Sequence, residues 1–253
     1  MTPDATPTPR RGDAGRLVVR NAPPAPEAAV LLLPGGRSEG LGPPPRVDLP
    51  ALRMRPFATA VARALADRNV LVAEVRYRHR GWNGTRRDAA RDTTAALAQL
   101  RERTGPLPVV LVGHSMGGRA ALSAAGDPMV RGVVALAPWC PPGEPVEHLT
   151  GRTIYVLHDE SDRITSARKS WDFVRRARAA GAQAFGIPMP TGRHSMLRGA
   201  ADWHRRTAEL TASLLPGATP AAPAAPAAPM ERRANDATVI PLDPGDTQST
   251  RPR

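Results

Sequence analysis

A single cysteine, Cys140, stands in the 253 residues, so the chain cannot close an internal disulfide and suits a reducing compartment. Cys140 itself reads as a small apolar residue near a strand end. Lysine is almost missing: of 35 basic residues, 34 are arginine and one is Lys169. Aromatic residues are only 4 % of the chain, too few to interleave with arginines as a single-stranded nucleic-acid groove requires. The net charge of +12 therefore does not imply a nucleic-acid partner. Arg86, Arg87 and Arg91, like Arg175, Arg176 and Arg178, read as solvated helix faces. No run reaches ~18 apolar residues, and the Pro/Thr-rich start over 1–16 has no apolar signal core. No membrane association and a cytoplasmic location are expected. The chain lacks H-E-x-x-H, a Cys/His cluster, G-x-G-x-x-G and G-x-x-x-x-G-K-[ST], so neither a metal nor a nucleotide cofactor is expected.

What is present centres on Val109-Val110-Leu111-Val112-Gly113-His114-Ser115-Met116-Gly117-Gly118. This reads as a buried parallel strand, then G-x-S-x-G, then a helix of small residues over 119–125. A serine in that context sits on a sharp strand-to-helix turn with its hydroxyl above the sheet edge. The glycines on either side fit because the backbone passes too close to itself for side chains. Such a serine needs a base and an orienting acid, which follow in the order Ser, Asp or Glu, His. Downstream, 152–157 is an apolar strand that runs into His158-Asp159-Glu160-Ser161-Asp162, and 185–190 leads into Thr191-Gly192-Arg193-His194. All three candidates fall at carboxyl ends of strands, where open α/β sheets place their sites.

Strands are expected at 17–19, 28–33, 70–77, 107–112, 132–137, 153–157 and 182–188. Helices are expected at 56–68, 85–104, 165–180 and 200–215, with a long Pro-rich loop over 37–53. Alternating strands and helices imply a mostly parallel sheet of about seven to eight strands covered on both faces. About 200 residues can bury roughly 70 % of their unfolded surface, so such a core needs no staples. The domain is expected over 16–215, after an unstructured segment 1–15. From 216 onward an Ala/Pro repeat and polar residues favour extended chain to 253, with Val239–Leu242 as a possible docking segment.

The motifs resemble those of the α/β-hydrolase superfamily over about residues 16–215. Gly113-His114-Ser115-Met116-Gly117-Gly118 is similar to its nucleophile elbow, which makes Ser115 the nucleophile. His158-Asp159-Glu160-Ser161-Asp162-Arg163-Ile164 is similar to its acid loop, whose aspartate matches Asp162. Asp159 stands where relatives have glycine, and is the alternative acid. Gly192-Arg193-His194 resembles the histidine loop, making His194 the base. Leu31-Leu32-Leu33-Pro34-Gly35-Gly36-Arg37 resembles the strand and loop of the oxyanion hole, with Pro34 in place of the usual histidine. The resemblance implies Met116 N–H as one oxyanion donor and Gly36 N–H, or else Arg37 N–H, as the other.

It also implies a serine hydrolase acting on a small-molecule carboxylic ester or thioester through an acyl-enzyme, with no cofactor and by default a monomer. An acyltransferase or amidase would use the same residues, and a non-catalytic α/β-hydrolase-fold binding protein is the reading from another class. The fifteen residues 138–152, four of them proline, are too few for a helical lid, so an open site is expected. Arg37, Trp82, Trp139 and the loop 37–53 are the candidates for its walls. Of the other histidines, His114 is expected to pack beside its strand and His158 to hydrogen-bond near Asp162 as structure. His79, His148 and His204 are expected to face solvent.

Overall fold

The apolar runs form one seven-stranded sheet in the computed structural model, which describes residues 16–217. The expected segment 1–15, the tail from 218 and Val239–Leu242 lie outside the described residues. The strands are β1 (Arg16–Asn21), β2 (Ala28–Leu33), β3 (Val70–Arg76), β4 (Val109–His114), β5 (Val130–Leu136), β6 (Thr153–Asp159) and β7 (Gln183–Met189). Their order is β1-β3-β2-β4-β5-β6-β7, antiparallel at β1 and parallel elsewhere.

Every residue of β2 and β4 is buried, as expected of parallel strands covered on both faces. On one face lie α2 (Asp88–Thr104), α3 (Met116–Ala124) and α4 (Ala167–Ala179), through Leu97, Leu100, Ala120 and Phe173. On the other lie α1 (Leu49–Ala64) and α5 (Ala200–Ser213), through Met54, Phe57, Val61 and Trp203. β4 is the middle strand, so the residue that leaves its carboxyl end stands at the centre of the sheet edge.

The first helix corrects the reading of 37–53 as loop and of 56–68 as helix. It starts at Leu49 with Pro50 in its first turn, and Pro56 lies inside it. A helix-interior proline costs about 3 kcal/mol. Met54, Phe57 and Val61 are all fully buried on one face, each contributing about 1.5–3 kcal/mol, so burial outweighs the missing bond. At the second helix, a short 3₁₀ turn (Gly84–Arg86) and a left-handed Arg87 delay the start from the expected 85 to Asp88.

Between β5 and β6, residues 137–152 hold only a 3₁₀ turn at Glu147–Leu149. The fold thus has no cap domain. Among the described residues no helix is long and apolar enough to cross a membrane, and no cluster of His, Cys, Asp or Glu could hold a metal ion.

Candidate active site

Ser115 occupies the turn between β4 and α3 with φ 53° and ψ −116°, a conformation that a non-glycine residue adopts only under constraint. The constraint is visible in the glycines. A Cβ on Gly113 would stand 2.3 Å from the Gly117 carbonyl oxygen, and one on Gly117 would stand 2.2 Å from that of Leu33. The start of α3 is thereby pressed against the end of β2, and Ser115 is lifted above the sheet edge. Ala137, Arg193 and Met196, on loops around this turn, also have positive φ. Local strain is concentrated here, as it is at functional sites generally.

Three loops bring their side chains together at this point. Ser115 Oγ lies 3.0 Å from His194 Nε2, and His194 Nδ1 lies 2.9 Å from Asp162 Oδ2. A carboxylate only accepts, so His194 carries its proton on Nδ1 and Nε2 is free to accept from the serine hydroxyl. Asp162 is further bound by His158 Nε2–H at 3.2 Å and by the Thr165 hydroxyl at 2.9 Å. Its other oxygen accepts the Ile164 amide at 2.7 Å. Burial alone would raise the Asp162 carboxyl. The bonds from His158, His194 and Ile164 more than reverse this and hold it well below the usual carboxylate range.

Asp159 stands apart from this line. Its oxygens accept the Arg193 amide at 2.7 Å, and the Ser161 amide at 2.8 Å and hydroxyl at 2.7 Å. It ties the β6 loop to the His194 loop without touching the His194 ring. His158 is fully buried and passes its other nitrogen to the Ser170 hydroxyl at 2.9 Å. Thr165 was not anticipated. Its hydroxyl lies 3.1 Å from His194 Nδ1 and 3.1 Å from the Ala137 carbonyl, a convergence of distant segments that leaves no local pattern in sequence.

The His194 loop is held from behind as well. His114 Nε2–H donates to the His194 carbonyl at 3.0 Å, and Arg53 donates to the Ser195 carbonyl at 2.6 Å. Burial, followed by the neighbouring His194, pushes the His114 imidazole down to about 3. An unfolded histidine titrates near ~6.5, so the unfolded chain takes up this proton first on acidification. Stability is therefore present in full above that value and falls at about 1.4 kcal/mol per pH unit as the pH drops from there toward the folded value. Urea denaturation at pH 7 and pH 5 should differ by about 2 kcal/mol through this group. His114→Gln, which does not titrate, should lose that part of the difference. An unchanged difference would assign the acid sensitivity to other groups.

Near Ser115, the amides of Met116 and Gly36 have no acceptor among the described residues. The Arg37 amide instead donates to the Arg80 carbonyl at 3.0 Å. A Cβ on Gly36 would stand 2.3 Å from Met116 Cε, so the Gly-rich loop lies directly against the turn.

The two tryptophans differ. Trp82 is 2 % exposed and packs under the Arg119 guanidinium, whose carbon is 3.9 Å from the ring centroid. Trp139 is half-buried, 4.5 Å from the same guanidinium, and its amide donates to the Ser115 carbonyl at 3.1 Å. Glu144 completes the clamp by accepting Arg119 Nε–H at 2.8 Å. Arg37 is exposed beside Gly36. Cys140 is buried, and burial pushes its thiol up to about 12.

Three histidines expected to face solvent are half-buried instead. His79 Nδ1 lies 2.5 Å from the Leu41 carbonyl, and His148 Nε2–H donates to that of Leu122 at 2.9 Å. His204 packs edge-on against Phe57. Their polar sequence neighbours concealed contacts with residues far along the chain.

A family described as the alpha/beta hydrolase family matches residues 30–250. The chain belongs to the alpha/beta hydrolase family. No curated protein matches it by sequence. Among solved structures, an alpha-beta serine hydrolase homologue from Coxiella burnetii superposes with a TM-score of 0.58 at 13 % identity, covering 83 % of this chain and 97 % of that one. A lidless α/β serine hydrolase from Xanthomonas campestris gives 0.53 at 16 % identity, covering 84 % and 100 %. An acetyl ester-xyloside bifunctional hydrolase from Caldicellulosiruptor lactoaceticus gives 0.59 at 14 % identity, covering 78 % and 85 %. These likenesses concern the hydrolase fold, including its lidless form.

Proposed function

We propose that this alpha/beta hydrolase cleaves a carboxylic ester or thioester through an acyl-enzyme formed on Ser115. The observation that carries the reading is the line Ser115 Oγ to His194 Nε2 at 3.0 Å and His194 Nδ1 to Asp162 Oδ2 at 2.9 Å. A serine hydroxyl is a weak nucleophile until an imidazole takes its proton. Ser115 Oγ attacks the carbonyl carbon as its proton passes to His194 Nε2. The tetrahedral oxyanion takes hydrogen bonds from the Met116 and Gly36 amides. His194 then gives its proton to the departing oxygen or sulfur as that bond breaks. Water, deprotonated by His194, attacks the acyl carbon and releases the acid and Ser115.

Asp162 keeps the useful tautomer of His194 and offsets the imidazolium charge while staying ionised. Of the three residues expected to line the site, Arg37 and Trp139 face the cleft in this reading. Trp82 acts through Arg119 and the position of Trp139. Labelling by a fluorophosphonate probe, abolished in Ser115→Ala, with turnover of p-nitrophenyl esters of increasing acyl length, tests the proposal. Absence of both labelling and turnover would leave a binding protein on a hydrolase fold.

The absence of a cap has its own consequence. Rate should rise smoothly when substrate passes its solubility limit, because no lid has to open. Truncation after Gly217 should leave kcat/KM toward a soluble ester within about twofold, well under 1 kcal/mol in the barrier. Ser115, Asp162, His194 and the Met116 and Gly36 amides all precede the cut. A sharp interfacial jump, or a large loss on truncation, would mean that the tail or the Pro-rich loop gates the site.

A further inference from the structure

We propose that the ester cleaved by this protein is anionic, with its negative charge held by Arg163 and Arg168 in a cavity beside Asp162. The inference rests on the reading of Ser115 as the nucleophile of an ester hydrolase. Three of the four loops at the site carry an exposed arginine next to the functional residue: Arg37 after Gly36, Arg163 after Asp162, and Arg193 before His194. Arg168 follows on the first turn of α4. Among the described residues, none of the four is in an ion pair, in contrast to arginines such as Arg101 and Arg119, which meet Asp127 and Glu144.

The acidic residues of these loops balance the four arginines in number but do not occupy their guanidinium donors. Asp159 and Asp162 have buried carboxylates already saturated with hydrogen bonds. With Glu39 and Glu160 they make four carboxylates to four guanidinium groups, none of which is in an ion pair with another among the described residues. Of all these, Arg163, Arg168, Glu160 and Asp162 line one cavity of about 390 Å³, and neither arginine is paired with either acid. That volume is in the range that holds small-molecule ligands.

The cavity is also suited to a carbon chain next to the charge. Ile164, 74 % exposed, and the half-buried Trp171 form apolar walls. Two guanidinium forks match a carboxylate or phosphate geometrically, with paired N–H donors on parallel lines. Thr165 forms the inner wall, and its hydroxyl is 3.1 Å from His194 Nδ1. One imidazole ring thus separates the cavity from Ser115. An ester bearing its charge a few bonds from the scissile carbonyl spans that separation.

Two matched substrate pairs test this. Mono-p-nitrophenyl succinate against p-nitrophenyl butyrate places the charge on the acyl arm, and 4-acetoxybenzoate against phenyl acetate places it on the leaving group. In at least one pair the anionic ester should be favoured about tenfold or more in kcat/KM, and the preference should shrink as ionic strength rises. The double variant Arg163→Glu, Arg168→Glu should lower the anionic-to-neutral ratio at least about tenfold, and Arg163→Gln should lower it less. Reading the ratio within each variant removes any general effect on folding. Hydrolysis of both neutral esters with no anionic preference overturns the charge proposal and leaves the serine hydrolase standing. An anionic preference untouched by both variants overturns the assignment to this cavity. Absence of turnover with all four esters, together with no fluorophosphonate labelling of Ser115, overturns the hydrolase reading and the charge proposal with it.

Discussion

Ser115→Ala, His194→Ala and the double variant should each lose about the same turnover, on the order of 10⁴–10⁶, with a p-nitrophenyl ester. The three losses coincide because the residues act as one unit. Without Oγ there is no nucleophile for His194 to activate, and without Nε2 there is no acceptor 3.0 Å away for the Ser115 proton. A loss of this size corresponds to about 5–8 kcal/mol of transition-state stabilisation. What survives is the contribution of the Met116 and Gly36 amides and of substrate positioning. The fold should be unaffected, since Ser115→Ala removes one hydroxyl and His194 is on a loop held through its carbonyl and that of Ser195. Urea midpoints measured alongside turnover check this. More than a tenth of wild-type turnover in Ser115→Ala would end the serine-hydrolase reading. Losses that multiply in the double variant would mean that the two side chains work in separate steps.

The parts of this arrangement that could be read from the chain are those imposed by backbone geometry. Gly113 and Gly117 have to be glycine because carbonyl oxygens occupy the space of their side chains, and that leaves a fixed spacing around Ser115. Asp162 and His194 could be placed because each follows a strand, and the parallel sheet puts strand ends along one edge. The start of α1 was misread because Pro56 is a strong start signal, whereas the burial of Met54 and Phe57 that overrides it is a tertiary fact. Thr165, the Arg119 clamp over Trp82 and Trp139, and the partners of His148 and His204 depend on contacts between segments far apart in sequence. Such contacts carry no period and no local signature, and the polar neighbours of His148 and His204 pointed to solvent.

Asp162→Asn should keep the fold and reduce turnover by up to about 10⁴, whereas Asp159→Asn should cost far less. In the first variant the amide oxygen keeps the Ile164 amide, at 2.7 Å in the native protein. The amide nitrogen then takes the place of Oδ2, facing His158 Nε2, the Thr165 hydroxyl and His194 Nδ1. Donor against donor is unfavourable, so His194 moves its proton to Nε2 and presents a bare Nδ1 to the asparagine. That tautomer cannot accept the Ser115 proton. The charge that offsets the imidazolium is lost as well. Asp159→Asn, in contrast, removes one acceptor between the Arg193 amide and Ser161, loosening two loops without changing the tautomer of His194. Its effect should appear mainly in stability, at about 1–3 kcal/mol for a buried donor left unpaired. Turnover with a soluble ester and urea midpoints, measured for both variants, separate the two roles. If Asp159→Asn proves the more damaging to turnover while Asp162→Asn remains active, the orienting acid is Asp159, and the line drawn through Asp162 Oδ2 is not the one that activates Ser115.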